Sequence, residues 1–323
     1  MVPFVLRRIL QVVVVVFVVI CLNFTIIALA PGDAVTYFVG QYSEALDSEY
    51  VQMLRARYGL DQPLQIRLLT YITNVLRGDL GYSTYFRAPV MDIILARLPN
   101  TLLLMLSAIL IELSVGIPLG IICSRKTYSL TDNTITFFSI VGCSLPLFWL
   151  GQMLVLVFAF NLGIFPVQGL RSTRLEISGM KLVLDILWHL ILPAITLATM
   201  NIALMVRLTR ANMLEVLRED YITTAWAKGL SQRKVYYKHA FKNALLPIVT
   251  VIGYRMGFMF AGATITETIF NWPGIGRLMF DSITRRDFPV IMGQFIFVAI
   301  AVAVSNFVVD IAYSYLDPRI RYR

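Results

Sequence analysis

The chain has 323 residues, 58% of them apolar and 15% charged, with a mean hydropathy of +0.74 and a net charge of +9. A soluble domain averages about half apolar and a quarter charged. Here the apolar excess falls in continuous runs near the roughly 20 residues that cross a hydrocarbon core as helix, which excludes a soluble enzyme. The basic surplus does not indicate nucleic acid, because Lys and Arg collect on the cytoplasmic loops of membrane proteins and no aromatic-basic binding module is present.

Arg7-Arg8 precedes the first apolar run, which extends to Ala30. That run exceeds the roughly 7–15 residues of a signal-peptide core. Pro31 directly follows Ala28-Leu29-Ala30, which imitates a cleavage site, so a retained first span over residues 9–30 is expected. From 64 to 76, Leu64, Leu68, Leu69, Ile72, Val75 and Leu76 share one helical face and Arg67, Thr70, Asn74 and Arg77 the other. This predicts an amphipathic helix on the outer membrane face or against the bundle, ended by Gly78-Asp79-Leu80-Gly81.

Five further spans are expected at about 101–123, 134–160, 186–206, 246–270 and 289–313. Backbone groups find no water in hydrocarbon, so each must be helical. Gly116 and Gly120, and then Gly253, Gly257 and Ala261, recur every four residues, a spacing that lets helix backbones approach closely. Pro118, Pro146 and Pro193 interrupt spans and favour kinks, and Pro247 stands where the fifth begins. Cys21, Cys123 and Cys143 all lie in apolar runs and read as small buried hydrophobes rather than a disulfide or metal framework.

Six spans place both termini on one side. Fifteen basic residues then share that side, against three on each short opposite loop, so both termini and segment 207–245 are expected to be cytoplasmic. That segment is a polar island with eight Lys or Arg. Residues Arg210 to Lys228 are mostly helix formers, Gly229 suits a left-handed helix end, and Ser231 suits the N-cap of a second helix. Ala225, Ala227, Gly229 and Leu230 lie between charged flanks, with Trp226, Tyr236 and Tyr237 read as exposed aromatics. Fixing topology requires only charge; a small-residue knob with an aromatic and basic rim suits a protein groove.

Glu112, Arg255, Glu267 and Asp310 are ionisable groups inside or at the ends of spans. Such groups face a bundle interior or a polar path. Glu112, Arg255 and Glu267 are therefore candidates for a translocation path, Glu267 the leading one; pairing across helices is the competing role. Arg255 and Glu267 are 12 residues apart, about 18 Å along one helix, too far for a direct pair. The chain has no Gly-x4-Gly-Lys-Ser/Thr phosphate loop and no His-Glu-x-x-His helix. His189 and His239 read as interfacial residues. An ion-coupled secondary transporter and a non-conducting assembly subunit are the readings from other classes.

Thr223-Thr224-Ala225, Gly229 and Leu246-Pro247 resemble the EAA loop of ABC-importer permeases. The Glu-Ala-Ala triplet reads Thr-Thr-Ala here, and the glycine-to-proline distance is longer than in the generic pattern. Both departures are similar to the dipeptide, oligopeptide and nickel branch. Further stretches resembling that branch run in order along the chain: APGD (30–33), YGLDQPL (58–64), GDLGYS (78–83), LPNTLLL (98–104), SLPLFWLG (144–151), ILPAITLA (191–198), TETIFNWPGIGRL (266–278), RRDFPVIMG (285–293) and VVDIAYSYLDPRIRY (308–322).

The resemblance implies an all-α integral membrane protein with six transmembrane helices and the type I ABC importer fold. In chain order, residues 1–95 would hold the first span and an extracytoplasmic segment, 96–313 the permease core with the loop 207–245, and 314–323 a cytoplasmic tail. It also implies a multi-pass protein of a bacterial or archaeal cytoplasmic membrane. Asp220, Thr223, Thr224, Ala225, Trp226, Ala227, Lys228, Gly229, Leu230 and Ser231 would form the ATPase-docking coupling helix and its turn. Partners would be a homologous second permease, two cytoplasmic ATPases carrying ATP and Mg, an extracytoplasmic binding protein and membrane lipid, with no cofactor held by this chain. Short peptides would be the cargo, with nickel or metal chelates, glutathione and oligosaccharides as alternatives.

Overall fold

The computed structural model describes residues 2–29, 61–83, 85–173 and 178–316. The APGD stretch, the first three residues of YGLDQPL, Arg174, the tail from 317 and the side chains of Arg7, Leu246 and Asp310 lie outside the described residues. Helix α1 (Val2–Leu29) and the amphipathic α2 (Leu64–Leu76) precede a short antiparallel hairpin, β1 (Tyr82–Ser83) and β2 (Ala88–Pro89), with Tyr82 opposite Pro89. Then come α3 (Val90–Arg125), α4 (Leu130–Ser144) and α5 (Leu147–Leu154), which continues as π turns over Val155–Asn161. Helix α6 (Met180–Val216) leads into α7 (Asp220–Ala227) and α8 (Gln232–Lys234), the last extended by π turns over Val235–Ala240. The chain ends through α9 (Phe241–Phe258), α10 (Thr264–Ile269), α11 (Ile275–Arg285) and α12 (Phe288–Leu316).

Among the described residues, four helices are long and apolar enough to cross a membrane, or six if two bent pairs each count as one span. The first bent pair corrects the expected third span. Its helix stops at Ser144, and α5 leaves at 98° with Pro146 as its N-cap residue. Proline has no N–H to donate, so here it starts a new helix instead of kinking an old one. The expected fifth span is also divided. Gln232–Leu245 and Pro247–Ala261 meet at 47°, and the helix then ends at Gly262, whose φ is +79°. Glu267 therefore lies on α10, not on the helix of Arg255.

Two compact units emerge, Met1–Leu98 with Leu278–Arg323, and Pro99–Arg277. They group by packing, whereas the partition 1–95, 96–313 and 314–323 follows chain order. In the first unit α1 lies beside α12, fastened where the buried Asn23 donates from Nδ2 to the Met292 carbonyl at 2.9 Å. Helix α2 leans on α1 through Tyr71 and Phe24, whose rings are 5.9 Å apart, and it buries Val75. Leu64, Leu69 and Leu76 of its apolar face stay exposed. The buried Ser83 hydroxyl donates to Asp287 Oδ2 at 2.5 Å and accepts from the Phe86 N–H at 2.9 Å.

In the second unit, α3 and α6 meet at the predicted small residues. A Cβ added at Gly120 would lie 2.5 Å from Thr209 Cβ and 2.8 Å from the Val206 carbonyl oxygen; one at Gly116 would lie 2.7 Å from Met205 Cβ. At the start of α4, buried Asp132 accepts both arms of Arg210 from α6, Nε at 2.9 Å and Nη2 at 2.7 Å. Such a bidentate pair fixes orientation as well as distance. Gly120→Val should therefore overpack the α3–α6 contact at a cost of about 1–3 kcal/mol. Thermal unfolding of the detergent-purified protein measures this, and an unchanged Tm would refute the close approach.

Candidate functional site

The cytoplasmic-side island predicted from charge begins as the continuation of α6, which stays helical to Val216. The chain turns over Leu217–Glu219 and re-enters helix as α7, with Glu219 in extended conformation at its N-cap. Helix α7 ends in a Schellman turn. Gly229 has φ +72°, its N–H donates to the Trp226 carbonyl at 2.9 Å, and the Leu230 N–H reaches the Ala225 carbonyl at 3.4 Å. Ser231 follows at the N-cap of α8 in extended conformation. Its carbonyl accepts from the Val235 N–H at 3.1 Å, but its side chain makes no capping bond.

Packing decides which face of α7 is offered outward. Ile222 and Ala225 are buried in a cluster with Ile121 of α3, Met213 of α6, and Val235, Tyr236, Ala240 and Ala244; Leu230 packs against it. At 100° per residue these two inward positions leave Asp220, Thr223, Thr224 and Ala227 on the opposite face, and all four are exposed. Trp226, 42% exposed, flanks that face on one side; Tyr221 and Lys228 flank it on the other. Two expectations are thereby corrected. Ala225 belongs to the floor beneath the helix, and Tyr236, only 8% exposed, is part of the same floor; Tyr237 is exposed as expected. The floor is pinned at its edge by Arg125, whose guanidinium carbon sits 5.9 Å from the centre of the Tyr236 ring.

The in-span charges separate into two constructions. Glu267 is fully buried, and both its oxygens are engaged. Oε1 accepts from Thr101 Oγ1 at 2.9 Å and the Ala263 N–H at 3.3 Å, and Oε2 accepts from the Arg277 N–H at 2.8 Å. Thr101 Oγ1 in turn accepts the Ile275 N–H at 2.7 Å. Alongside, Trp272 Nε1 donates to the Asn100 carbonyl and Asn100 Nδ2 to the Pro273 carbonyl, each at 2.9 Å. Gly274 has to lack a Cβ, which would run into Glu267 and Thr101. Glu267 thus caps the first turn of α11 and ties it to α3, and no face of it lines an open surface. Elsewhere in the unit, Arg255 donates through Nη1 to Glu112 Oε2; the Glu112 side chain is 1% exposed and that of Arg255 24%.

Residues 116–322 match the family model described as binding-protein-dependent transport system inner membrane component, and residues 1–105 match the model for the N-terminal part of such membrane components. The chain belongs to this transport-system membrane-component family. It is 40% identical to the oligopeptide transport system permease protein AppB of Bacillus subtilis (strain 168), over the full length of both chains. It is 41% identical to the di/tripeptide transport system permease protein DppB of Pseudomonas aeruginosa (strain UCBPP-PA14), and 36% identical to the glutathione transport system permease protein GsiC of Escherichia coli O6:H1, again over both full lengths.

This binding-protein-dependent membrane component is a multi-pass permease with the type I ABC importer transmembrane fold. Thr101, Asn100, Trp272 and Gly274 were not singled out from sequence, although they lie in the LPNTLLL and TETIFNWPGIGRL stretches. A signal was present: two separate polar-containing motifs in apolar surroundings, which the fold makes halves of one knot. Pro118 and Pro193 sit inside continuous helices α3 and α6. Glu267→Ala should leave buried N–H donors without acceptors at a cost of about 1–3 kcal/mol, read as a lower Tm of the purified permease; full stability would refute the capping role. Gly229→Ala has open space for its Cβ but must hold a left-handed backbone, costing about 1–2 kcal/mol. Gly229→Asn should recover part of that loss, as measured by protease resistance of the island.

Proposed function

We propose that this chain is one of two membrane-spanning permease subunits in an ATP-driven importer of short peptides. Its membership of the transport-component family carries the permease role, and its full-length likeness to relatives named for oligopeptide and di- or tripeptide transport favours peptides. The likeness to a glutathione permease is compatible, since glutathione is itself a small peptide. A homologous second permease completes the path, an extracytoplasmic binding protein delivers the cargo, and two cytoplasmic ATPases bind ATP and Mg. Both termini and the island face the cytoplasm of a bacterial or archaeal cell.

The observation supporting ATPase docking is the outward face of α7. A short helix raised on its own apolar floor, with Asp220, Thr223, Thr224 and Ala227 outward and Trp226 at the rim, fits a cleft in a soluble partner. Anchors of this kind concentrate binding energy in a few buried contacts. ATP-driven closure of the partners would move α7, and the bundle would pass between inward- and outward-facing states, provided the docked states differ in free energy.

Ala225 is a poor probe of docking because a larger side chain there would disrupt the floor. Thr223→Arg alters the outward face and Trp226→Ala its rim, neither residue belonging to the buried cluster. Each is expected to reduce co-purification of the ATPases about tenfold or more, the equivalent of roughly 1.4 kcal/mol or more, while the permease stays folded in the membrane. Wild-type recovery of ATPases with both variants would overturn the docking assignment. Peptide uptake that survives removal of the ATPases would overturn the ATP-driven mechanism itself.

A further inference from the structure

Arg255 and Glu112 form the one construction above without an evident structural economy. Glu112 lies on α3, 13 residues before Arg125 at the helix end, about 20 Å of helix away and so deep within the span. Its Oε2 accepts from Arg255 Nη1, whereas Oε1 is buried without a hydrogen-bond partner. Replacing such a pair by apolar residues of similar volume is often neutral or stabilising, so packing does not account for it. Its geometry is also asymmetric: the anion is enclosed and the cation retains an exposed portion.

A guanidinium presents five N–H donors in a rigid fork. A partly exposed arginine at this depth must face a bundle interior or a water-filled cavity, since hydrocarbon would not solvate it. On helix α9 the exposed Phe258 lies nearly one turn beyond Arg255 on the same side, with its ring 5.0 Å from that of the exposed Tyr254. A held cation near two aromatic rings, one of them a phenol, matches an extended molecule with one anionic end and variable side chains.

We propose that Arg255 receives the C-terminal carboxylate of the peptide in transit, with Glu112 as the positioning residue that fixes the guanidinium; this rests on the peptide-importer reading above. Glu112 engages the guanidinium through Nη1 and leaves its remaining donors for the cargo. Because the buried anion already balances the cation, Arg255 attracts a carboxylate without trapping it, which a conducting site requires.

The test uses the complete transporter in proteoliposomes, with its binding protein, partner permease and ATPases. Uptake of a labelled dipeptide and of the same dipeptide with an amidated C-terminus is measured alongside ATP hydrolysis. Arg255→Gln alone strands the Glu112 charge and threatens folding, so the main variant is Glu112→Gln/Arg255→Gln, which removes both charges and keeps two hydrogen-bonding amides. The expected result is that free-carboxylate peptide moved per ATP falls about tenfold or more, and that the preference over the amide shrinks. Arg255→Lys should restore part of the loss.

Three outcomes would overturn the assignment. Undiminished transport per ATP in the double variant makes the pair merely structural. A proportional fall in uptake and hydrolysis makes it a conformational latch. An unaltered preference for the free carboxylate places carboxylate recognition in another residue or protein. Because all arms share one binding protein, its own selectivity cancels. Failure of the wild-type system to take up any peptide would instead sink the peptide-importer reading, and this proposal with it.

Discussion

Every interruption of a helix within an apolar medium releases backbone N–H and C=O groups that no water can satisfy. This chain interrupts its helices repeatedly, and its polar side chains are placed where those groups appear. Glu267 and Thr101 take the first N–H groups of α11, and outside the spans the Gly229 turn closes α7 with two backbone bonds. At Ser144–Pro146 a different solution holds, because proline brings no donor to satisfy. The breaks divide the permease into separate helical pieces, and at α11 and α7 the freed backbone groups have named partners.

This constraint also sorts the ionisable residues. A carboxylate enclosed by backbone donors is a structural cap, however deep it lies, and Glu267 is one. A carboxylate that meets a single guanidinium and keeps one oxygen idle has been arranged for something other than capping, and Glu112 is that case. Sequence reading ranks Glu267 first as a path residue because it stands in a distinctive motif. The geometry gives Glu267 a capping role instead.

Much of the fold was legible because it follows from local periodicity. The amphipathic helix runs from Leu64 to Leu76, within a residue or two of its apolar spacing, and the Gly116–Gly120 spacing marks the α3–α6 contact. The Gly229 turn was legible because few residues hold a left-handed backbone easily. What escaped were facts about direction and long-range pairing. Hydropathy over 134–160 records that the stretch is apolar, but carries no trace of a 98° change of axis. Exposure of Tyr236 and Ala225 depends on how short helical segments are rolled against their surroundings, which include Ile121, 104 residues before Ala225. The partner of Glu267 lies 166 residues earlier, in Thr101, beyond the reach of spacing arguments.

The apolar floor beneath α7 carries a mechanical implication. Ile121 belongs to the last turns of α3, Met213 to those of α6, and Ala244 to the first turn of α9. Close-packed interiors are barely compressible and transmit strain instead of absorbing it. A push on α7 therefore cannot be dissipated as a local dent. It would be shared among the ends of three helices at once, which would make this small cluster a gearbox: one input shaft at the surface, three outputs into the membrane.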